Sequence, residues 1–108
     1  MNYSVEATAF FDKQLKRLSK KFPSLKKEYA ELISSLKENP KLGKPLGDNC
    51  YKIRIAISSK GKGKSGGGRV ITHVQIVKAK IYLLSIFDKS EQSDIDDRDL
   101  DNWLKGID

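Results

Sequence analysis

One cysteine and one histidine in 108 residues leave little material for several kinds of chemistry. Cys50 has no partner for an internal disulfide and no histidine and asparagine setting around it, so it reads as a small filler rather than a nucleophile. No cluster of histidines, cysteines or carboxylates at ligand spacing lies near the basic segments, so no metal and no other cofactor is expected. Long apolar runs are missing too. Nothing approaches a membrane-spanning length, and Met1 to Glu6 lacks the charged-then-apolar pattern of a secretory signal. A cytoplasmic chain with no membrane partner is the expectation.

What is present in excess is positive charge, unevenly spread. Lysine and arginine number 21 against 14 acidic residues, a net charge of +7. Residues 88–108 hold eight acidic groups and three basic ones, which leaves +12 on the rest of the chain. A body this basic draws polyanions at long range, so a nucleic acid or an acidic protein is its natural partner. A hydrophobic content of 38% beside 32% charged residues suits a folded protein, and the length suits one domain over 1–108.

Tyr3, Val5 and Ala7 alternate with polar residues and predict a short strand. Thr8 can cap a helix from Phe10 to Phe22. Its apolar stripe is Phe11, Leu15, Leu18 and Phe22, and Lys13, Lys16, Arg17, Lys20 and Lys21 fill the other face before Pro23 stops it. Ser24 reads as the N-cap of a second helix carrying Leu25, Tyr29, Leu32, Ile33 and Leu36 and ending at Asn39-Pro40. So short a link makes the two a hairpin. Lys41 to Asn49, with Gly43, Pro45 and Gly47, reads as loop. From Tyr51 to Ser58, Ile53, Ile55 and Ile57 alternate with Lys52 and Arg54, so the isoleucines should pack on the helices and the cations share the opposite face. Arg69 to Val77 and Ile81 to Phe87 form a strand pair around Lys78-Ala79-Lys80. Asp96 or Asp97 can cap a last helix with Leu100, Trp103 and Leu104, closed by Gly106. The fold class expected is α+β: two N-terminal helices packed on a small antiparallel sheet, with a short C-terminal helix.

The run from Lys60 to Arg69, Lys-Gly-Lys-Gly-Lys-Ser-Gly-Gly-Gly-Arg, is the most informative segment. A glycine-alternating loop buries nothing and costs entropy to order, so core packing does not explain it. Its backbone amides and Lys60, Lys62 and Lys64 can wrap a phosphate chain. It is no nucleotide-binding P-loop, because its glycines lead into a strand rather than a helix. The plainer alternative is a hairpin tip kept soluble by lysines. Arg69, opening a strand at the base of the loop, is better placed to be held rigidly.

Three segments together, Tyr51-Lys52-Ile53-Arg54-Ile55, the Lys60-to-Arg69 loop, and Tyr82-Leu83-Leu84-Ser85-Ile86-Phe87-Asp88-Lys89-Ser90-Glu91, resemble the HigB-type branch of the RelE/ParE toxins. The likeness runs from the first strand to Ile95. It implies a RelE-like fold and a ribosome-dependent endoribonuclease that enters the A site and cuts the exposed codon of messenger RNA. It also implies a cognate, HigA-like antitoxin that silences the enzyme. By position, the basic active-site residues of the family fall on Lys52, Arg54, Arg69 and Lys89. Glu91 either orients Lys89 or Arg69 or is a surface carboxylate. Lys60, Lys62 and Lys64 of the loop, with Lys13, Lys16, Arg17 and Lys20 of the first helix, are candidate contacts to RNA or the ribosome.

The reaction the resemblance implies is attack of a ribose 2′-hydroxyl on the adjacent phosphodiester, leaving a cyclic phosphate and a free 5′-hydroxyl. Arg54 and Arg69 suit the phosphate clamp, because guanidinium stays charged and forks onto phosphate oxygens. Lys52 is the candidate general base and Lys89 the candidate acid. The tyrosine that many relatives place near the C-terminus corresponds here to Ile95, and Phe87 stands where another phenol could have served. Tyr82 is expected to pack. His73 is either a catalytic histidine or a strand histidine held by hydrogen bonding or stacking. The acidic C-terminal stretch is either a solvated helix face or a segment that folds over the basic surface when RNA is absent. Two other functions fit the same charge: a ParE-like gyrase poison, and an RNA-binding module without catalysis.

Overall fold

The computed structural model describes residues 3–61, 63 and 66–107. Strand β1 (Ser4–Ala7) runs straight into helix α1 (Ala9–Lys21). Thr8 caps that helix as expected: its hydroxyl accepts the Phe11 amide at 3.2 Å and satisfies one of the orphan donors of the first turn. Helix α2 (Leu25–Glu38) follows with Ser24 at its N-cap, but here the hydroxyl donates to Glu28 at 2.9 Å instead of capping the backbone. Strands β2 (Lys44–Gly47), β3 (Cys50–Ile55), β4 (Gly68–Gln75) and β5 (Lys80–Asp88) come next, and helix α3 (Asp97–Lys105) closes the chain. Asp96 and Asp99 form a reciprocal capping box at the start of α3.

The strands make one sheet in the order β1-β5-β4-β3-β2. Two features depart from the sequence expectation. The segment Lys41 to Asn49 is not all loop, because β2 pairs with β3 through a two-residue turn in which Asp48 and Asn49 take left-handed φ values of 53° and 58°. Asp and Asn tolerate that conformation, and its twist suits a tight hairpin. Pro45 is accommodated because β2 is the edge of the sheet, where a missing N–H costs no ladder bond. The sheet is also mixed rather than antiparallel, since β1 runs parallel to β5 while the other pairs are antiparallel. With β1 and β2 at opposite edges, the α1–α2 hairpin is what carries the chain across one face of the sheet.

That crossing builds the main core. Phe11, Leu18, Leu25 and Leu36 of the helices meet Ile53, Ile55, Ile57, Val70, Ile81 and Leu83 of the sheet. The inward alternation of the three isoleucines is as expected. A second, smaller apolar layer lies on the other face, where Leu100 of α3 packs on Cys50, Ile71, Leu84 and Phe87 with Ile95 and Trp103 alongside. Among the described residues no helix is long and apolar enough to cross a membrane.

Candidate functional site

Strand register, more than any single residue, defines the site. Arg54 of β3 sits directly opposite Arg69 of β4, and Lys52 of β3 sits opposite Lys44 of β2. Lys52 and Arg54 are two residues apart on one strand, so all four cations lie on one face, the face away from α1 and α2. Like charges directly opposed across strands are destabilising, and here two such pairs stand side by side. Beside them a cleft of about 440 Å³ is lined by Leu42, Gly43, Lys44, Lys52, Ile53 and Arg54. Lys44 is the member that sequence reasoning missed. It lies between glycine and proline in a four-residue strand, too short for alternation to show.

Arg69 is only 3% exposed, and its Nη1 donates to the carbonyl of Gly68 at 3.0 Å. Burial first, and then the charge of Arg54, lower its pKa, while Asp94 works in the opposite direction. Phe87, buried on β5, faces Arg69 across the ladder and floors this part of the site. Lys89 lies just past the end of β5, in a turn. Its amide still bonds the carbonyl of Gly67 at 3.1 Å, and its side chain is exposed. Arg54 and Arg69 therefore share one face of the sheet, and Lys89 follows in the turn after β5.

A carboxylate stands among these cations. Both oxygens of Asp94 lie 3.2 Å from Lys52 Nζ, and Oδ1 accepts the Ile95 amide at 2.9 Å. The Ile95 N–H, followed by Lys52 and Lys44, outweighs partial burial and holds the Asp94 pKa below the usual carboxylate value.

The other expected residues are placed as follows. Glu91 is engaged by α1, with Arg17 Nη2 at 3.2 Å and Lys21 Nζ at 3.8 Å. Lys13, Lys16 and Lys20 are exposed on α1, in the helix layer across the sheet from Arg54 and Arg69. Lys60 turns inward, its Nζ on the Asp88 carboxylate and 5.7 Å from the Phe22 ring centroid. Lys62 and Lys64 lie outside the described residues. Packing does account for part of the glycine run, contrary to expectation: a Cβ on Gly67 would fall 2.1 Å from the carbonyl oxygen of Ile55, so the chain passes there only as glycine. His73 stacks on Tyr82 at 6.5 Å, its Nδ1 3.5 Å from Cys50 Sγ. Four residues along β4 from Arg69, it lies about 13 Å away. Tyr82 is buried, as expected, and the Cys50 thiol is pushed up to about 12 by burial and then by Asp48.

The family model for RelE, the toxin of the RelE/RelB toxin–antitoxin system, matches residues 7–106. Among solved structures, a free arginine-to-alanine double mutant of the Escherichia coli toxin RelE superposes with a TM-score of 0.66 at 17% identity, covering 99% of each chain. The toxin in the intact E. coli RelBE toxin–antitoxin complex gives 0.62 at 19% identity over 80% of this chain and 95% of that one. A RelBE toxin–antitoxin complex from Mycobacterium tuberculosis gives 0.62 at 18% identity, over 82% and 99%.

Proposed function

Since this chain belongs to the RelE toxin family of toxin–antitoxin systems, we propose that it is a cytoplasmic, ribosome-dependent endoribonuclease that cuts messenger RNA in the A site and is silenced by a cognate antitoxin. The observation that carries this reading is the two pairs of opposed cations, Arg54 against Arg69 and Lys44 against Lys52. Such juxtaposition works against the sheet and is useful only when an anion is brought between the charges. Antitoxin complexes among the structural relatives support the regulatory partner.

In the reaction, Arg54 and Arg69 hold the non-bridging oxygens of the scissile phosphate. Lys52 is the general base, taking the 2′-hydroxyl proton as O2′ bonds to phosphorus. The bond from phosphorus to O5′ breaks, and Lys89 gives a proton to the departing oxygen, so the products are a cyclic phosphate and a free 5′-hydroxyl. The transition state carries more negative charge than the ground state, and fixed cations favour it without reorganising. Arg69 suits this role because burial leaves its guanidinium little freedom to turn away.

The test is to add purified protein to ribosomes translating a reporter message and map the new 5′ ends. Cuts inside codons, lowered about 10²-fold or more by Lys52→Met and by Arg54→Met, are expected. An intact message, or variants that cut as fast as the parent, overturns the reading. An intact message together with inhibited DNA supercoiling replaces it with gyrase poisoning.

A further inference from the structure

We infer that Asp94 occupies the place of the scissile phosphate in the RNA-free protein, and that RNA binds by displacing it. This rests on reading the cation row as a phosphodiester site. A carboxylate and a phosphodiester present the same thing to Lys52 and the arginines: one negative charge shared over two oxygens. Asp94 supplies it symmetrically, with both oxygens at 3.2 Å from Lys52 Nζ.

The supporting frame explains why the carboxylate is both well placed and removable. Residues 89–96 form no regular strand or helix and link Asp88, buried at the end of β5, to α3. Ile95 anchors the segment in the second apolar layer. The Ile95 amide and the Gln92 side chain, whose Nε2 donates to the Asp94 carbonyl at 3.0 Å, shape the turn. The Asp94 side chain itself is 55% exposed against 20% for Lys52, so it can swing into solvent without opening the core. Exposed ion pairs of this kind are weak, and a polyanion that also displaces counterions can outcompete one.

The device has two effects. It relieves repulsion within the row while no substrate is present. It also penalises any RNA held by the row alone, so that cutting favours a message already positioned by other contacts, as it is on a ribosome.

The test compares the parent with Asp94→Asn and with Asp101→Asn, a variant on the exposed surface of α3 that changes net charge equally. Asparagine at 94 keeps the side-chain oxygen that accepts from Ile95. Affinity for a short 2′-O-methyl RNA, which cannot be cleaved, is read by fluorescence anisotropy at low salt. Asp94→Asn should tighten binding by about threefold or more beyond the Asp101→Asn control, and the gain should shrink when Lys52→Met is added. Equal affinities for the two asparagine variants, or weaker binding by Asp94→Asn, overturn the displacement while leaving the site reading intact. Binding by none of the proteins, Asp94→Asn included, also overturns the displacement, and the ribosome cleavage assay decides the site reading separately.

Discussion

Replacing Arg54 with methionine should stabilise the fold while it lowers cleavage about 10²-fold or more. Arg69 is 3% exposed and cannot turn away from Arg54, its cross-strand neighbour. Arg54 itself is exposed, so methionine retains much of the stem and removes the repulsion without emptying a core position. Directly opposed side chains on antiparallel strands interact by roughly 0.2–1 kcal/mol. Asp94 already offsets some of the repulsion on Arg69, so a gain of about 0.5 kcal/mol is the appropriate size. For a chain of this length that corresponds to a rise in Tm of about 2–4 °C. Thermal unfolding followed by circular dichroism at low salt measures it. Because the screening length falls from about 30 Å at ~0.01 M salt to about 3 Å at ~1 M, the difference should vanish at the higher concentration. Arg54→Lys, which keeps the charge, should leave Tm near that of the parent. A Tm for Arg54→Met at or below the parent's at low salt, or a gain indifferent to salt, would show that the cations are not held against their repulsion.

The pair Lys60–Asp88 is nearly dry, with side chains 7% and 1% exposed. Lys60→Met strands a buried carboxylate and should cost about 3 kcal/mol in urea unfolding, with part of the loss recovered by adding Asp88→Leu. Burial raises the Asp88 pKa, but Lys60 and Ser90 outweigh it and bring the value below normal. The ionised carboxylate therefore stabilises the fold above about pH 4, and that contribution is lost as pH falls through the lower folded-state value. In urea titrations the stability gap between parent and Asp88→Asn should be wide at neutral pH and close in acid. Cys50, 1% exposed with its thiol pushed up to about 12, should resist a thiol-specific reagent in the native protein and react fully in denaturant. Fast labelling of the folded chain contradicts its burial.

Elements whose signal is local were legible. The stripes of α1 and α2, the Thr8 cap and a start of α3 at Asp96 or Asp97 follow from spacing within a turn or two, and the Ile53, Ile55 and Ile57 alternation identified the buried face of β3; the capping box with Asp99 selects Asp96. Strand β2 was not legible, because Lys-Pro-Leu-Gly has neither length nor β-branched residues. It is a strand only because β3 offers it an edge. The parallel placement of β1 beside β5 joins positions more than 70 residues apart, which no local pattern encodes. The partners of charged side chains were equally hidden. Glu91 reaches α1, Lys60 reaches Asp88 and Asp94 reaches Lys52, each across long stretches of chain.

The sequence by itself determined that this would be a basic α+β protein with Lys52 and Arg54 on the face opposite the isoleucines, since a two-residue period with one buried side admits a single arrangement. Only the tertiary structure decided that Arg69 would stand against Arg54, Lys44 against Lys52, and Asp94 among them. Register and long-range ion pairs depend on which strands become neighbours, and that choice is made by packing the whole core at once.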